Sequence, residues 1–331
     1  MIVAAVAVGF VLVWFRSVLI PFVLAVFFAY GLGPVIEIQT NRLRVPRPLA
    51  VLLTLLLGIF LLSLAGGLIS TSVQQLSANA DTYQAQIEQT VERVLDSPLI
   101  AKYAPDFPQE LDFRQIIPTR QLGAALMGTT NAIIDLLSKG LIVLIFLFFL
   151  LSGGAAIRSR GIRAEVEAKI RRYIVIQALL SAATGILVGG ILGALGVPLA
   201  MVFGLFAFLL NFIPSVGSAI ATLLPLPVVL MSPEISPAVA VLAMGLPALV
   251  QVVIGNVISP KVMGDSLDLH PVTILLALMI WGTLWGLVGM LLATPITAVL
   301  KMLLERMPLT QPLAQLMAGN FEPRSGVGDS P

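Results

Sequence analysis

The sequence predicts an all-α polytopic membrane protein, and three observations predict it. Of its 331 residues, 58% are hydrophobic and 11% charged, with a mean hydropathy of +1.02, a composition far from that of soluble globular chains. The apolar residues are gathered into about eight segments, most of them near the length that crosses a bilayer as a helix. Two of these segments are interrupted midway by proline and glycine, which a plain spanning helix does not require. Composition also excludes chemistry. Without cysteine there are no disulfides, zinc–thiolate sites, iron–sulfur clusters or thiol nucleophiles. A net charge of +2 gives no footprint for nucleic acid, so the uneven placing of the basic residues is a topological signal.

Residues 1–15 form the first apolar run. They lack a basic n-region and a small-residue cleavage site, which predicts a retained helix. The run is short for a span, so either the natural start lies upstream or the helix is tilted and partly buried. Arg16 separates it from a second run, 17–36, with Pro21 near the start where a helix tolerates it, and the pair reads as a helical hairpin. Arg42, Arg44 and Arg47 then stand against a single Glu37 in a short loop, which the positive-inside rule assigns to the cytoplasm. A third span follows over 49–69.

Residues 71–130 form the one sizeable polar region. Val73, Leu76, Ala80, Tyr83, Ile87, Val91 and Val94 recur at steps of three and four, one face of an amphipathic helix. The region is net acidic, which suits the outer side, and its prolines at 98, 105, 108 and 118 predict short pieces returning to the membrane. A small helical extracytoplasmic domain is the expectation, serving as a spacer, a subunit contact or a cap over a pathway. The fourth span, 131–151, leads into Arg158, Arg160, Arg163, Lys169, Arg171 and Arg172 against Glu165 and Glu167. This is the strongest cytoplasmic marker in the chain. It orients the protein, with anionic-lipid binding as a further reading. Arg42 and Arg163 are thus expected inside, Asp81 and Arg114 outside.

Each half of the remaining chain reads as one spanning helix and one broken hairpin. The first half has a span over 173–195 and a hairpin over 198–230. Pro214 removes a backbone donor and disfavours helix at Ile213, and Gly217 frees the turn, so two apolar limbs meet at Asn211, Ser215 and Ser218. The second half has a span over 238–258 and a hairpin over 271–295, with glycines 282, 286 and 289 at its tip and Pro295 in its second limb. Limbs of about 15 residues extend roughly 22 Å, short of the ~30 Å hydrocarbon core. Two re-entrant hairpins in an inverted repeat are therefore expected, such paired breaks being the best sequence pointer to a transporter's site. Four fully crossing limbs remain the alternative, because both arrangements leave the C-terminus inside.

The segments RSVLIPFVLAVFFAYGLGPVIE with RVPRPLAVLL, the tip NFIPSVGSAIATLLP, and NVISPKVMGDSLDLHPVTILLALMIWGTLWGLVGMLLATPITA resemble the AI-2E family of membrane transporters. The likeness runs from Trp14 to Glu305 and is most specific around the second hairpin. It implies an oligomeric transporter of a bacterial-type inner membrane, in a family that includes proposed exporters of autoinducer-2 and relatives described as sodium or lithium to proton antiporters. Many members carry an acidic residue just before the position of Asn256. This chain has Val253, Ile254 and Gly255 there, which weakens carboxylate-based ion coupling.

A cation antiporter should carry a carboxylate within the membrane, yet Glu37, Asp135, Glu234, Asp265 and Asp268 all fall at predicted ends or in loops. The candidate binding or gating residues are instead Asn211, Pro214, Ser215, Gly217, Ser218, Gln251, Asn256, Gly286, Gly289, Thr294 and Pro295, with Thr297 beside them. Backbone and side-chain groups at helix breaks can hold a polyhydroxylated solute or a cation. The plainer reading is that these side chains satisfy the breaks or join helices. Asp265, Asp268 and His270 are loop candidates at the mouth of the second hairpin, where helix capping is the simpler role. Glycines 185, 189, 190 and 193 have the spacing of close helix packing.

An intramembrane enzyme is the rival from another class. Ser218 with His270 lacks a GxSxG elbow, Asp265 lacks a mid-membrane partner acid, and no P-loop or HExxH occurs. No enzyme activity, cofactor or metal is expected. A non-transporting scaffold would need neither broken hairpin. The expected organisation is N-terminal transmembrane helices over 1–70, the polar region over 71–130, the fourth span and basic loop over 131–172, an inverted-repeat transport core over 173–306 and a disordered cytoplasmic tail over 307–331. Both termini are expected in the cytoplasm. The function read from this is secondary transport by alternating access, exporting a small polar solute such as an autoinducer-2-like signal, with a monovalent cation/proton antiporter as alternative. The expected partners are that solute or cation, the lipid bilayer and further copies of the chain.

Overall fold

Long apolar helices dominate because nearly every window of this sequence can bury or expose hydrocarbon but few can leave backbone groups unpaired in lipid. A computed structural model describes residues 2–78, 140–152, 162–232, 235–263, 269–308 and 310–319. Among these no strand occurs, and five helices are long and apolar enough to cross a membrane. Leu52, Leu53, Leu56, Leu57 and Phe60 are exposed along one of them, a contiguous apolar surface of the kind that faces lipid. Of the polar region expected over 71–130, residues 71–78 continue a helix that starts at Arg47, and the rest lies outside the described residues, as do Asp81, Arg114, Asp135, Glu234, Asp265, Asp268 and residues 320–331.

α1 (Ile2–Trp14) and α2 (Arg16–Glu37) meet at Phe15. The expected hairpin is instead a bend. Phe15 keeps φ −91° and ψ 13°, its N–H donates to the Val11 carbonyl, and the Leu19 N–H donates to the Phe15 carbonyl, both at 2.9 Å. One charged residue between apolar runs is no turn signal, since neither Gly nor Pro frees the backbone there. α2 ends in a widened turn over Ile38–Arg42, and Arg44 (φ 54°) turns the chain into α3 (Arg47–Ala78). Ala25, Ile36, Ala50, Val51, Leu55, Val143 and Leu147 form the core that joins α2 and α3 to α4 (Gly140–Ser152).

α5 (Ile162–Ala194) begins well before the expected span. Most of the basic segment is thus the first turns of the helix. Glu165 to Lys169 and Glu167 to Arg171 have the i,i+4 spacing that supports this. The Arg171 guanidinium pairs with the Glu37 carboxylate at 2.6 Å, so the C-terminal end of α2 and the N-terminal part of α5 share one end of the molecule. The two basic stretches flanking this pair therefore lie together.

After Gly196 (φ 71°) and Leu199 (φ 62°), α6 (Ala200–Leu210) runs back along α5. A β-carbon on Gly185 would lie 2.7 Å from the Gly204 carbonyl oxygen, and one on Gly204 would lie 2.9 Å from the Gly189 Cα. The backbones touch, as the glycine spacing predicts for Gly185 and Gly189, while Gly190 faces open space. α7 (Val216–Leu223) and α8 (Leu226–Met231) complete the first hairpin. Ser236 caps α9 (Pro237–Val252), accepting from the Val239 N–H. A widened turn over Val253–Ile258 then continues into α10 (Ser259–Met263).

α11 (Pro271–Leu304) is two helical limbs on either side of a non-helical Gly286, not one rod. The Trp281 indole N–H donates to the Thr297 hydroxyl at 3.1 Å. In a straight helix those residues would stand roughly 24 Å apart. The chain reverses at Gly286, whose φ of 63° and ψ of −144° are open to glycine alone. α12 (Gln311–Ala318) follows, where a disordered tail from 307 was expected. Ala314 is fully buried, and the Met317 carbonyl accepts from the His270 N–H and the Thr273 hydroxyl. A proline at the helix start and Leu313, Leu316 and Met317 are sufficient for an eight-residue helix once hairpin 2 offers a surface.

Candidate functional site

Of the two reversals, the first sets its tip against α5. On the first, α6 descends along α5 until Asn211, whose side-chain amide donates to the Ser181 hydroxyl at 3.0 Å and whose carbonyl accepts from the Gln177 side chain at 2.6 Å. Ser181 and Gln177 are buried and lie near the middle of the apolar stretch Glu167–Ala194. The tip of hairpin 1 is thus fixed halfway along its neighbouring helix. Ser215 turns the chain with φ 61° and ψ −51°, a conformation that costs a non-glycine residue of order 1–3 kcal/mol. Pro214 has set up that turn. Ser218 donates to the Ser215 carbonyl, so it satisfies the break, as the plainer reading of the sequence holds, while Ser215 itself is exposed.

Gly217 is buried because nothing larger fits: a β-carbon there would run into the Leu210 carbonyl. The second tip repeats the device. A β-carbon on Gly289 would run into the Trp281 carbonyl, and one on Gly282 would lie 2.8 Å from the Met290 methyl. In each hairpin a glycine two or three residues beyond the turn lets the returning limb cross the outgoing backbone. The first tip also meets the second hairpin. Ile213 packs with Ala277, Leu278 and Ala293 from both limbs of hairpin 2.

Several polar side chains are buried on the helices around this packing. Gln177, Ser181 and Thr184 on α5 are buried at the i, i+4, i+7 positions of one helix face. Thr294 and Thr297 on the second limb of hairpin 2 are buried too. The Thr294 hydroxyl makes no hydrogen bond, although the Tyr173 phenol lies near it. Gln251 is buried near the middle of the run Pro237–Met263, with its side-chain N–H2 unpartnered. Buried donors and acceptors left without partners cost about 1–3 kcal/mol each, so each of these two groups is one that a ligand's hydroxyl or carbonyl would satisfy. Pro247 and Pro295, both buried within helices, add to this, since each deprives a carbonyl four residues earlier of its N–H.

Other candidates are not brought in. Asn256 is exposed on the widened turn, and the His270 ring accepts from the Val272 N–H as a helix cap. Sequence reading missed Gln177, Ser181 and Thr184. Their signal was present as polar residues spaced four and three apart inside an apolar helix. It also missed Lys301, whose side chain is only 3% exposed and pairs with Glu305 at 3.0 Å. That lysine lies at the base of the second limb. Among the described residues no cluster of acids and histidines could hold a metal ion.

Comparison with known proteins identifies the family. The AI-2E family transporter profile matches residues 2–309. The AI-2 transport protein TqsA of Escherichia coli K12 is 32% identical over 317 residues, covering 91% of this chain and 90% of that protein. The putative transport protein YhhT of the same organism is 27% identical, covering 93% and 90%. The putative transport protein YrrI of Bacillus subtilis 168 is 27% identical, covering 87% and 86%. With near-complete coverage and several apolar helices long enough to span a bilayer, the chain is a multi-pass membrane protein that belongs to the AI-2E family of transporters.

Proposed function

We propose that the protein is a secondary transporter that exports a small polar solute by alternating access, with both hairpins re-entrant and gating a site near mid-membrane from opposite sides. The observation that carries this reading is Asn211, bonded to Ser181 and Gln177 halfway along α5, because a surface turn would have been solvated by water instead. Unpartnered Thr294 and Gln251 supply neutral hydrogen-bonding groups suited to hydroxyl-rich solutes. The TqsA relationship makes an autoinducer-2-like molecule the first solute to try. On this reading residues 173–306 form an inverted-repeat core in a bacterial-type inner membrane, with both termini cytoplasmic and several copies assembled together.

A monovalent cation exchanged for protons is the second reading, favoured by Pro247 and Pro295 inside helices, each of which withholds an N–H from the carbonyl four residues earlier. Purified protein in proteoliposomes separates the two. Saturable, protein-dependent flux of an autoinducer-2-type solute, lost in a Thr294→Val variant, is the expected result. Lithium or sodium flux coupled to pH without solute flux transfers the assignment to the antiporter. No protein-dependent flux of any solute or ion leaves the scaffold reading.

A further inference from the structure

An open groove of about 490 Å³ lies between the C-terminal part of α2 and the N-terminal part of α5. Its lining changes character along α5. Along α5, Glu167, Arg171 and Arg172 come first and Val175 and Ile176 one turn further on, with Pro34 contributed by α2. The charged end is the one shared by both basic stretches, and the apolar end runs into the stretch long enough to span the bilayer. A phospholipid has the same sequence of chemistry along its length: charged phosphate, then glycerol, then acyl chain.

The two arginines differ. Arg171 is committed to Glu37. Arg172 is exposed and makes no hydrogen bond or ion pair with a described residue. A guanidinium held at the edge of a spanning helix, with a fork geometry that matches phosphate oxygens and apolar side chains one turn deeper, is placed to take a headgroup while the chain lies along the groove. Glu167 opposes this, being an acid at the same end. It is itself engaged, and it disfavours multiply charged soluble anions more than a singly charged lipid phosphate.

We propose that this groove is a binding site for one anionic phospholipid, with Arg172 holding the phosphate and Val175, Ile176 and Pro34 the start of an acyl chain. The bound lipid bridges α2 and α5 beside the Arg171–Glu37 pair, so it ties the N-terminal helices to the hairpin-bearing part of the chain. Nothing in this requires a transport substrate, and its test does not use transport.

Delipidated full-length protein titrated with phosphatidylglycerol or phosphatidylcholine, and read by native mass spectrometry, provides that test. The expected result is at least about fivefold more phosphatidylglycerol than phosphatidylcholine bound, falling to the phosphatidylcholine level in Arg172→Gln and rising in Glu167→Gln. Arg172 is exposed, so its replacement leaves folding intact, as size-exclusion chromatography will register. Equal binding of the two lipids, or an unchanged preference in Arg172→Gln, overturns the proposal. Displacement of the lipid by millimolar inorganic phosphate overturns it too, since the groove would then be a soluble-anion site.

Discussion

The Asn211 side chain, at the tip of the first hairpin, donates a 3.0 Å hydrogen bond to Ser181, fully buried halfway along α5. A buried neutral hydrogen bond contributes about 1 kcal/mol net. Asn211→Ala and Ser181→Ala should each destabilise the purified protein by about 1–2 kcal/mol, because the other partner is left unsatisfied. The double variant should cost less than the sum, since the two share one interaction. Thermal unfolding in detergent measures this, and strict additivity means that the tip is not held there.

Gly217 and Gly289 should tolerate not even a methyl group. Each would drive a β-carbon into the carbonyl of the outgoing limb, Leu210 or Trp281, and backbone cannot yield as a side chain can. Alanine at either position is expected to cost about 2–3 kcal/mol or more and to abolish flux in proteoliposomes, and leucine to abolish it while leaving membrane insertion largely intact. Gly190 and Gly245 have nothing within 4 Å and provide the control. Alanine there should be neutral or raise stability by up to about 1 kcal/mol through helix propensity. Equal tolerance at all four positions refutes the tip geometry.

Sidedness follows from the Arg171–Glu37 pair. Single cysteines replacing Arg42 and Arg172 in this cysteine-free chain should behave alike toward an impermeant thiol reagent, both protected in intact cells and both labelled after permeabilisation. Opposite behaviour of the two sites contradicts the shared end of α2 and α5. Labelling of both from outside keeps that geometry but reverses the cytoplasmic assignment.

Depth distinguishes re-entry from full crossing. A fluorophore at position 215 or 286 should be quenched best by lipids labelled near the chain ends, because both tips are expected near mid-membrane. In a fully crossing arrangement each tip would sit about 15 Å away, at headgroup depth. Quenching by headgroup-labelled lipids at both positions removes the gating site proposed above.

What the sequence determined by itself was everything governed by periodicity and punctuation. Apolar run lengths gave the membrane class, Pro214 with Gly217 and the glycines at 282, 286 and 289 located both reversals, and the glycines at 185 and 189 marked a close helix contact. These are local properties, fixed by missing donors, missing β-carbons and hydropathy. The tertiary structure alone decided what each break faces. Only with α6 lying along α5 does Asn211 find Ser181, and only the reversal at Gly286 brings Trp281 to Thr297. Gly204 shows the same limit from the other side: it was one small residue among many until the fold placed it against Gly185 and Gly189. Phe15 shows where local reading goes wrong, since a lone charge between apolar runs suggested a hairpin while the backbone kept its helical bonds. Partners distant in the chain leave no trace in any one segment, because an apolar helix packs equally well on many faces until its neighbours select one.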